Sequence, residues 1–238
     1  MADRLVAIGD IHGHLRGFDC LLDIIQPDHD DIVVTLGDIV DRGPDSCGVI
    51  ERMIQIKDSF NLIPLRGNHE IMFEYFLKNQ HADPEWLACG GAQTLASFGM
   101  DPLNPDITLV SPEILDFLKE ELVPLFEHEH TICVHAGLAP IKNLLFQPDE
   151  DLYWKKLDPE EPPHPSGKIV VCGHTRQKSG LPLWLGHRLC LDTNVYDGGW
   201  LTACDLNSFE YWQVNSEGTT RKGELEIKGL LKNIPIRR

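Results

Sequence analysis

One pattern occurs three times before residue 78: a short apolar run stops at a glycine beside an acid or amide, and a segment of helical periodicity follows. Leu5 to Ile8 ends in Gly9 and Asp10, Ile32 to Leu36 ends in Gly37 and Asp38, and Leu62 to Leu65 ends in RGNHE. The runs have the length of buried strands. Leu15, Phe18, Leu21, Leu22 and Ile25 then recur at helical spacing until Pro27, and Pro44, Asp45 and Ser46 supply start signals before Val49, Ile50, Met53 and Ile54. Ile71 to Leu77 makes the third helix. Three strand–loop–helix units in succession predict an α/β architecture.

Downstream, Asp83 and Pro84 can start a helix over Trp86 and Leu87, and Ser111 and Pro112 one carrying Leu115, Leu118 and Leu122. CGGAQTLASFG between them predicts a short helix bracketed by glycines. From Thr131 the chain turns β-rich, with runs at Thr131 to Val134, Lys168 to Cys172, Arg188 to Leu191, Leu201 to Leu206 and Tyr211 to Val214. Helices around sheets are therefore expected, and not a simple doubly wound fold. DPEEPPHPSG, Asp158 to Gly167, predicts a surface loop. Residues 1–215 are expected to form one domain. Residues 216–238, with six Lys or Arg against three Glu, are expected to form a solvated basic tail.

Five predicted strand ends carry the chemistry: GDIHGH, GDIVDRG, RGNHE, HAG and GHT. Each puts Asp, Asn or His directly after an apolar run, where loops at a sheet edge host function. Asp10 and His12 are two apart, so extended backbone would turn both to one side, where they could share a metal. Asp38 offers two oxygens, Asn68 a neutral one, and His135 and His174 imidazole nitrogens. This mixed N/O set suits Mn, Fe or Zn and lacks the thiolates of a structural zinc site. His14 lies near the set without an assigned role. His29, His81, His128, His130, His164 and His187 lack such a setting.

A formal net charge of −16 argues against a nucleic-acid partner and against acidic membranes, because both need Lys or Arg to meet phosphate. An anionic substrate would equally be repelled unless bound metals reversed the local field. The seven cysteines are odd in number and contain no CxxC pair, which reads as reduced thiols. With no signal-peptide pattern and no membrane-length apolar run, a cytoplasmic location is expected, and a monomer.

In order and spacing, GDIHG, GDIVDRG, RGNHE, HAG and GHT resemble the signature of metallophosphoesterases of the phosphoprotein phosphatase family, particularly its bacterial and phage branch. WLACGGAQTLASFG and LDTNVYDGGWLTACDL are similar to further segments of bacterial members. The resemblance covers residues 4 to 206. It implies a two-sheet sandwich flanked by helices, the calcineurin-like architecture, with two metals at the loops along one edge. One metal is expected on Asp10, His12 and Asp38, the other on Asp38, Asn68, His135 and His174, with Mn favoured. A hydroxide between them would attack phosphorus. His69 matches the family's general acid, Asp41 the carboxylate that orients it, and Arg42 the guanidinium that grips phosphate alongside Asn68. Arg66 is expected behind the site, and Glu70 in a structural place at the start of the helix.

One departure stands out. Bacterial relatives carry a second phosphate-binding arginine in an LW-x-R pattern, whereas this chain reads LYWKK, with Lys156 as the nearest counterpart and no bidentate fork. Arg176 could compensate. The leading expectation is a serine/threonine protein phosphatase acting on a phosphorylated protein or peptide. The first alternative is a symmetric dinucleoside polyphosphate hydrolase, whose second motif typically has alanine in place of Asp41 and whose third resembles GNHD. The second alternative is an inactive metal-bound scaffold.

Overall fold

Each of the three opening units is present in the computed structural model, which describes residues 4–227. β1 (Leu5–Ile8) leads to α1 (Leu15–Ile25), β2 (Ile32–Thr35) to α2 (Ser46–Ile56), and β3 (Asn61–Pro64) to α3 (Asn68–Asn79). Asp45 caps α2 by accepting the Gly48 N–H at 2.9 Å. α3 begins three residues earlier than the apolar spacing predicts, so Asn68, His69 and Glu70 form its first turn. α4 (Pro84–Trp86) passes through a π-turn, Leu87–Gly91, into α5 (Ala92–Ser97), and α6 (Pro112–Glu120) follows.

The remaining elements are β4 (Leu125–His128), β5 (Thr131–Val134), α7 (Asp149–Tyr153), β6 (Ile169–Cys172), β7 (Leu183–Trp184), β8 (Arg188–Cys190), β9 (Leu201–Asp205), β10 (Glu210–Val214) and β11 (Thr220–Glu224). One sheet has the order β11-β10-β9-β1-β2-β3 and the other β4-β5-β6-β8-β7. β1, β2 and β3 are mutually parallel, as are β5, β6 and β8. Pro64 sits in the edge strand β3, where a missing N–H is tolerated.

Side-chain alternation explains the layers. Leu5 and Ala7 of β1 face a core shared by the two sheets with Val34, Cys133, Val171 and Leu189. Val6 and Ile8 face the opposite way, into the larger core under α1, α2, α3 and α6. Ile132, Val134, Val170 and Cys172 turn outward to a third cluster covered by Leu152 and Tyr153 of α7. The result is a mixed α/β arrangement of two sheets flanked by helices, as the resemblance implies. Among the described residues no helix is long and apolar enough to cross a membrane.

Part of the expected tail is a strand. β11 pairs along its length with β10, where its cations have partners: Lys222 meets Glu210 at 2.9 Å, and Arg221 Nε donates to Gln213 Oε1 at 2.7 Å. Residues 228–238 of that segment lie outside the described residues. The acid- and proline-rich loop is also anchored, since Glu161 binds Arg188 at 2.6 Å and Lys155 at 2.9 Å. All seven cysteines are free.

Candidate metal and phosphate site

The C-terminal ends of the six parallel strands converge on Asp38. Asp10 and His12 follow β1; Asp38, Asp41 and Arg42 follow β2; Asn68 and His69 follow β3; His135 follows β5 and His174 follows β6. These ends are not extended. His12, Asp38, Asp41, Arg42 and His174 all have positive φ, between 44° and 69°, a region disfavoured for side-chain-bearing residues. Each such residue costs about 1–3 kcal/mol, sustained by the packing around it. The rule of two that paired Asp10 with His12 therefore does not apply. The chain curls after Gly9, both Ile11 and His12 donate their N–H to the Asp38 carbonyl, and Asp10 turns its carboxylate to the His174 N–H at 3.0 and 3.2 Å.

Three imidazoles share one arrangement. His12 Nδ1 lies 2.9 Å from the Val40 carbonyl, His135 Nδ1 2.7 Å from the Leu36 carbonyl, and His174 Nε2 3.2 Å from the Trp154 carbonyl. A carbonyl only accepts, so in His12 and His135 that nitrogen carries the proton and the other is an acceptor, whereas His174 Nε2 also meets the Lys156 ammonium, a pure donor, at 3.1 Å. The opposite nitrogens face Asp38 and Asn68. His135 Nε2 is 3.3 Å from Asp38 Oδ1 and 3.0 Å from Asn68 Oδ1, His174 Nδ1 is 2.9 Å from Asn68 Oδ1, and His12 Nε2 is 3.6 Å from Asp38 Oδ2. Burial keeps all three rings neutral by lowering their pKa, that of His174 to about 3.

Lone pairs facing lone pairs repel unless a cation lies among them, and this donor set of carboxylate, amide oxygen and neutral imidazole fits a divalent ion. Asp38, His135 and His174 form one tight set, and His12, Asp38 and His69 another. Asp10 stands outside both. Its carboxyl is pushed up by burial and by the neighbouring charges of Asp192 and Asp38. Asp192, directly after β8, is 2% exposed and raised to about 6, chiefly by burial. Its position repeats the pattern of an apolar run followed by an acid, which sequence reasoning applied to five ends and missed at this sixth.

His69 differs from the other rings in its partner. Its Nδ1 lies 2.6 Å from Asp41 Oδ2, while Nε2 faces the centre, 3.8 Å from Asp38 Oδ2. Burial works against the charged ring, but Asp38 and Asp41 together raise its pKa. Arg42 is half-buried, with its guanidinium 4.2 Å from the Tyr196 ring centroid and Nη1 2.6 Å from His12 Nε2. Lys156 is exposed at the mouth, 3.1 Å from His174 Nε2. Arg176 reaches the rim through the Tyr196 hydroxyl at 3.2 Å. Arg66 turns away and pairs with Glu74 at 3.1 Å. Every sequence-predicted site residue is thus brought to one rim, with Lys156 at its outer edge.

Glu70 proves more than a helix-start residue. Its buried carboxylate accepts the N–H groups of Gly67 at 2.7 Å, Asp38 at 2.8 Å, Ile39 at 2.8 Å and Val40 at 3.2 Å. It ties the Asp38 loop to the start of α3.

The description "calcineurin-like phosphoesterase" belongs to the family that matches residues 3–205. The symmetrical bis(5'-nucleosyl)-tetraphosphatase of Nitrosomonas europaea is 34% identical over 137 residues, 56% of this chain and 44% of its own. The asymmetrical bis(5'-nucleosyl)-tetraphosphatase of Oceanobacillus iheyensis is 23% identical over 247 residues, 90% of this chain and 92% of its own. Among solved structures, a cold-active protein-tyrosine phosphatase of a psychrophilic Shewanella has a TM-score of 0.63 at 17% identity, covering 93% of this chain and 80% of that one. The chain spans about half the length of the symmetrical relatives it matches.

Proposed function

Because the chain belongs to the calcineurin-like phosphoesterase family, we propose that it is a metal-dependent phosphohydrolase whose substrate is a bis(5'-nucleosyl) tetraphosphate. The observation that carries hydrolysis is the convergence of imidazole and amide groups on Asp38, with the His69–Asp41 pair beside them. The substrate is supported by the names of the relatives, which move the reading from a phosphoprotein to a dinucleotide.

Asp10, His12 and Asp38 would hold one divalent cation, and Asp38, Asn68, His135 and His174 the second; the N/O set suits manganese, iron or zinc, and manganese is the ion chosen for the tests. When bound, such ions supply an ionised water at neutral pH and screen the phosphoryl charge. The protein's own groups do the rest. Arg42, aimed by its stacking on Tyr196, grips phosphate oxygens, and Lys156 adds a second positive charge at the mouth. His69 gives the proton on Nε2 to the departing oxygen, and Asp41 holds the opposite nitrogen.

A second reading, a phosphatase of phosphoserine and phosphothreonine, is favoured by the His69–Asp41 pair. An alkoxide leaves poorly without a proton, whereas a nucleoside diphosphate leaves readily, so a well-built acid serves the monoester more. The test compares kcat/KM of the manganese-loaded protein on diadenosine tetraphosphate and on a phosphoseryl peptide in one buffer. Higher efficiency on the dinucleotide is expected. The reverse ranking replaces the first reading with the second, and no turnover of either removes both.

A further inference from the structure

His69 depends on Asp41, and the Asp41 carboxylate is itself held by two side chains from a distant segment. Trp86 Nε1 donates to Asp41 Oδ2 at 2.8 Å, the same oxygen that faces His69 Nδ1. The Thr94 hydroxyl donates to Asp41 Oδ1 at 2.6 Å. A threonine hydroxyl has one proton and two lone pairs, so with its proton on Asp41 it must accept elsewhere. It accepts the Asp41 N–H at 2.9 Å and lies 2.9 Å from Ser46 Oγ, which therefore donates to it. Asp41 is 0% exposed, and a buried carboxylate persists only where donors satisfy it.

Both donors are rigid. The Trp86 ring packs against Phe73 and Phe76 of α3 at centroid separations of 6.0 and 5.2 Å, and α3 is the helix that carries His69. Gly91 also lies against it, and a Cβ there would come within 2.4 Å of the indole. The π-turn between the donors gives Gly90 a φ of 119° and presents its carbonyl to the Arg42 N–H at 3.2 Å. Such turns inside helices recur at functional sites.

We infer that Trp86 and Thr94 are positioning residues that act through Asp41: by fixing both carboxylate oxygens they hold the His69 proton on Nδ1 and keep Nε2 aimed at the departing oxygen. The inference rests on His69 being the acid. The segment from Pro84 to Ser97 is then a brace for proton donation, which explains why a tryptophan and a threonine eight residues apart lie with their polar ends in the core. Phenylalanine at Trp86 or valine at Thr94 would preserve nearly all of the packing and remove one donor each.

The test uses Trp86→Phe, Thr94→Val and His69→Asn in the manganese-loaded protein, on p-nitrophenyl phosphate, whose leaving group needs no proton, and on phosphoserine in a peptide, whose leaving group does. For Trp86→Phe and Thr94→Val we expect kcat on the peptide to fall by about tenfold to a hundredfold, the worth of one hydrogen bond to a charged group. On the aryl ester kcat should stay within about twofold, and KM should move little on either, because no donor to substrate has been removed. Equal losses on both substrates, or no loss, overturn the inference. If His69→Asn itself behaves as wild type on the peptide, the acid assignment fails instead, which separates the two failures. A second readout needs no turnover: the His69 Nδ1–H proton should give a downfield NMR resonance in the metal-free protein, absent in His69→Asn and lost to exchange in the other two variants. Persistence of that resonance unchanged in both overturns the inference whatever the substrate range.

Discussion

Glu70 accepts the backbone N–H of Asp38 at 2.8 Å, so a carboxylate with no place at the metal rim sets the backbone of the residue at its centre. Burial and the adjacent Asp38 push its carboxyl up to about 8, against the pull of its N–H donors. Glu70→Gln keeps one acceptor oxygen but turns an NH2 toward N–H groups. At least one buried N–H then loses its partner, at about 1–3 kcal/mol. The melting temperature should fall, and manganese affinity should weaken by roughly 10- to 100-fold, the usual effect of removing an outer partner of a ligand. Calorimetric metal titration checks the second number.

Arg42 holds a left-handed backbone and a stacked guanidinium, so its fork is aimed before substrate arrives. Arg42→Lys keeps the charge but loses the fork and the stacking. Steady-state kinetics should show kcat/KM reduced by about 10- to 100-fold, mainly through KM.

Gly173 lies against Asp10. A Cβ there would come within 2.0 Å of Asp10 Oδ1, and the clash is with the carboxylate that binds the His174 N–H. Gly173→Ala should displace Asp10 and His174 together, abolish manganese binding in a metal titration, and leave far-ultraviolet dichroism unchanged, because β6 ends at Cys172.

Chelation followed by desalting should abolish hydrolysis, and manganese should restore it. The stability of the metal-free protein should also be lower, since cations that bind only the folded state add about 2.7 kcal/mol per site at a free concentration a hundred times the Kd. Differential scanning calorimetry across a manganese series tests this. A melting temperature independent of manganese would exclude the lone-pair cluster as a cation site.

His174 contributes an acid-dependent loss of stability. Its folded pKa of about 3 lies below the unfolded value near 6.5, so between those values the unfolded chain binds the extra proton and stability falls as pH drops. At pH 5 the cost relative to pH 7 is about 2 kcal/mol from this group. In metal-free protein, His174→Asn should therefore lose about that much less between pH 7 and pH 5 than the parent, measured by urea unfolding.

Asp10, His12, Asp38, Asn68, His69, His135 and His174 were legible because each follows an apolar run, a one-dimensional sign that survives folding. Asp192 carries the same sign in LCLD. By residue type and position alone His12 and His69 look alike, and the resemblance gave them different expected roles; in the structure their Nδ1 partners differ, a carbonyl for one and a carboxylate for the other. Trp86 and Thr94 were illegible as partners of Asp41 because they lie 45 and 53 positions away in sequence and a tryptophan in an apolar stretch reads as core. β4 escaped notice because Glu127 and His128 break its apolar character, and β11 because its cations find partners only on β10 and its neighbours.

The bond from His135 Nδ1 to the Leu36 carbonyl joins the end of one sheet to the end of the other. The site therefore lies on a seam: the loops after β1, β2 and β3 supply Asp10, His12, Asp38, Asn68 and His69, and those after β5 and β6 of the other sheet supply His135 and His174. Neither half has chemistry alone, and any ligand that grips both raises the free energy of prising the layers apart. Loss of activity on partial unfolding should then come early and together with loosening of the shared apolar core, so turnover reports on whether the seam is shut.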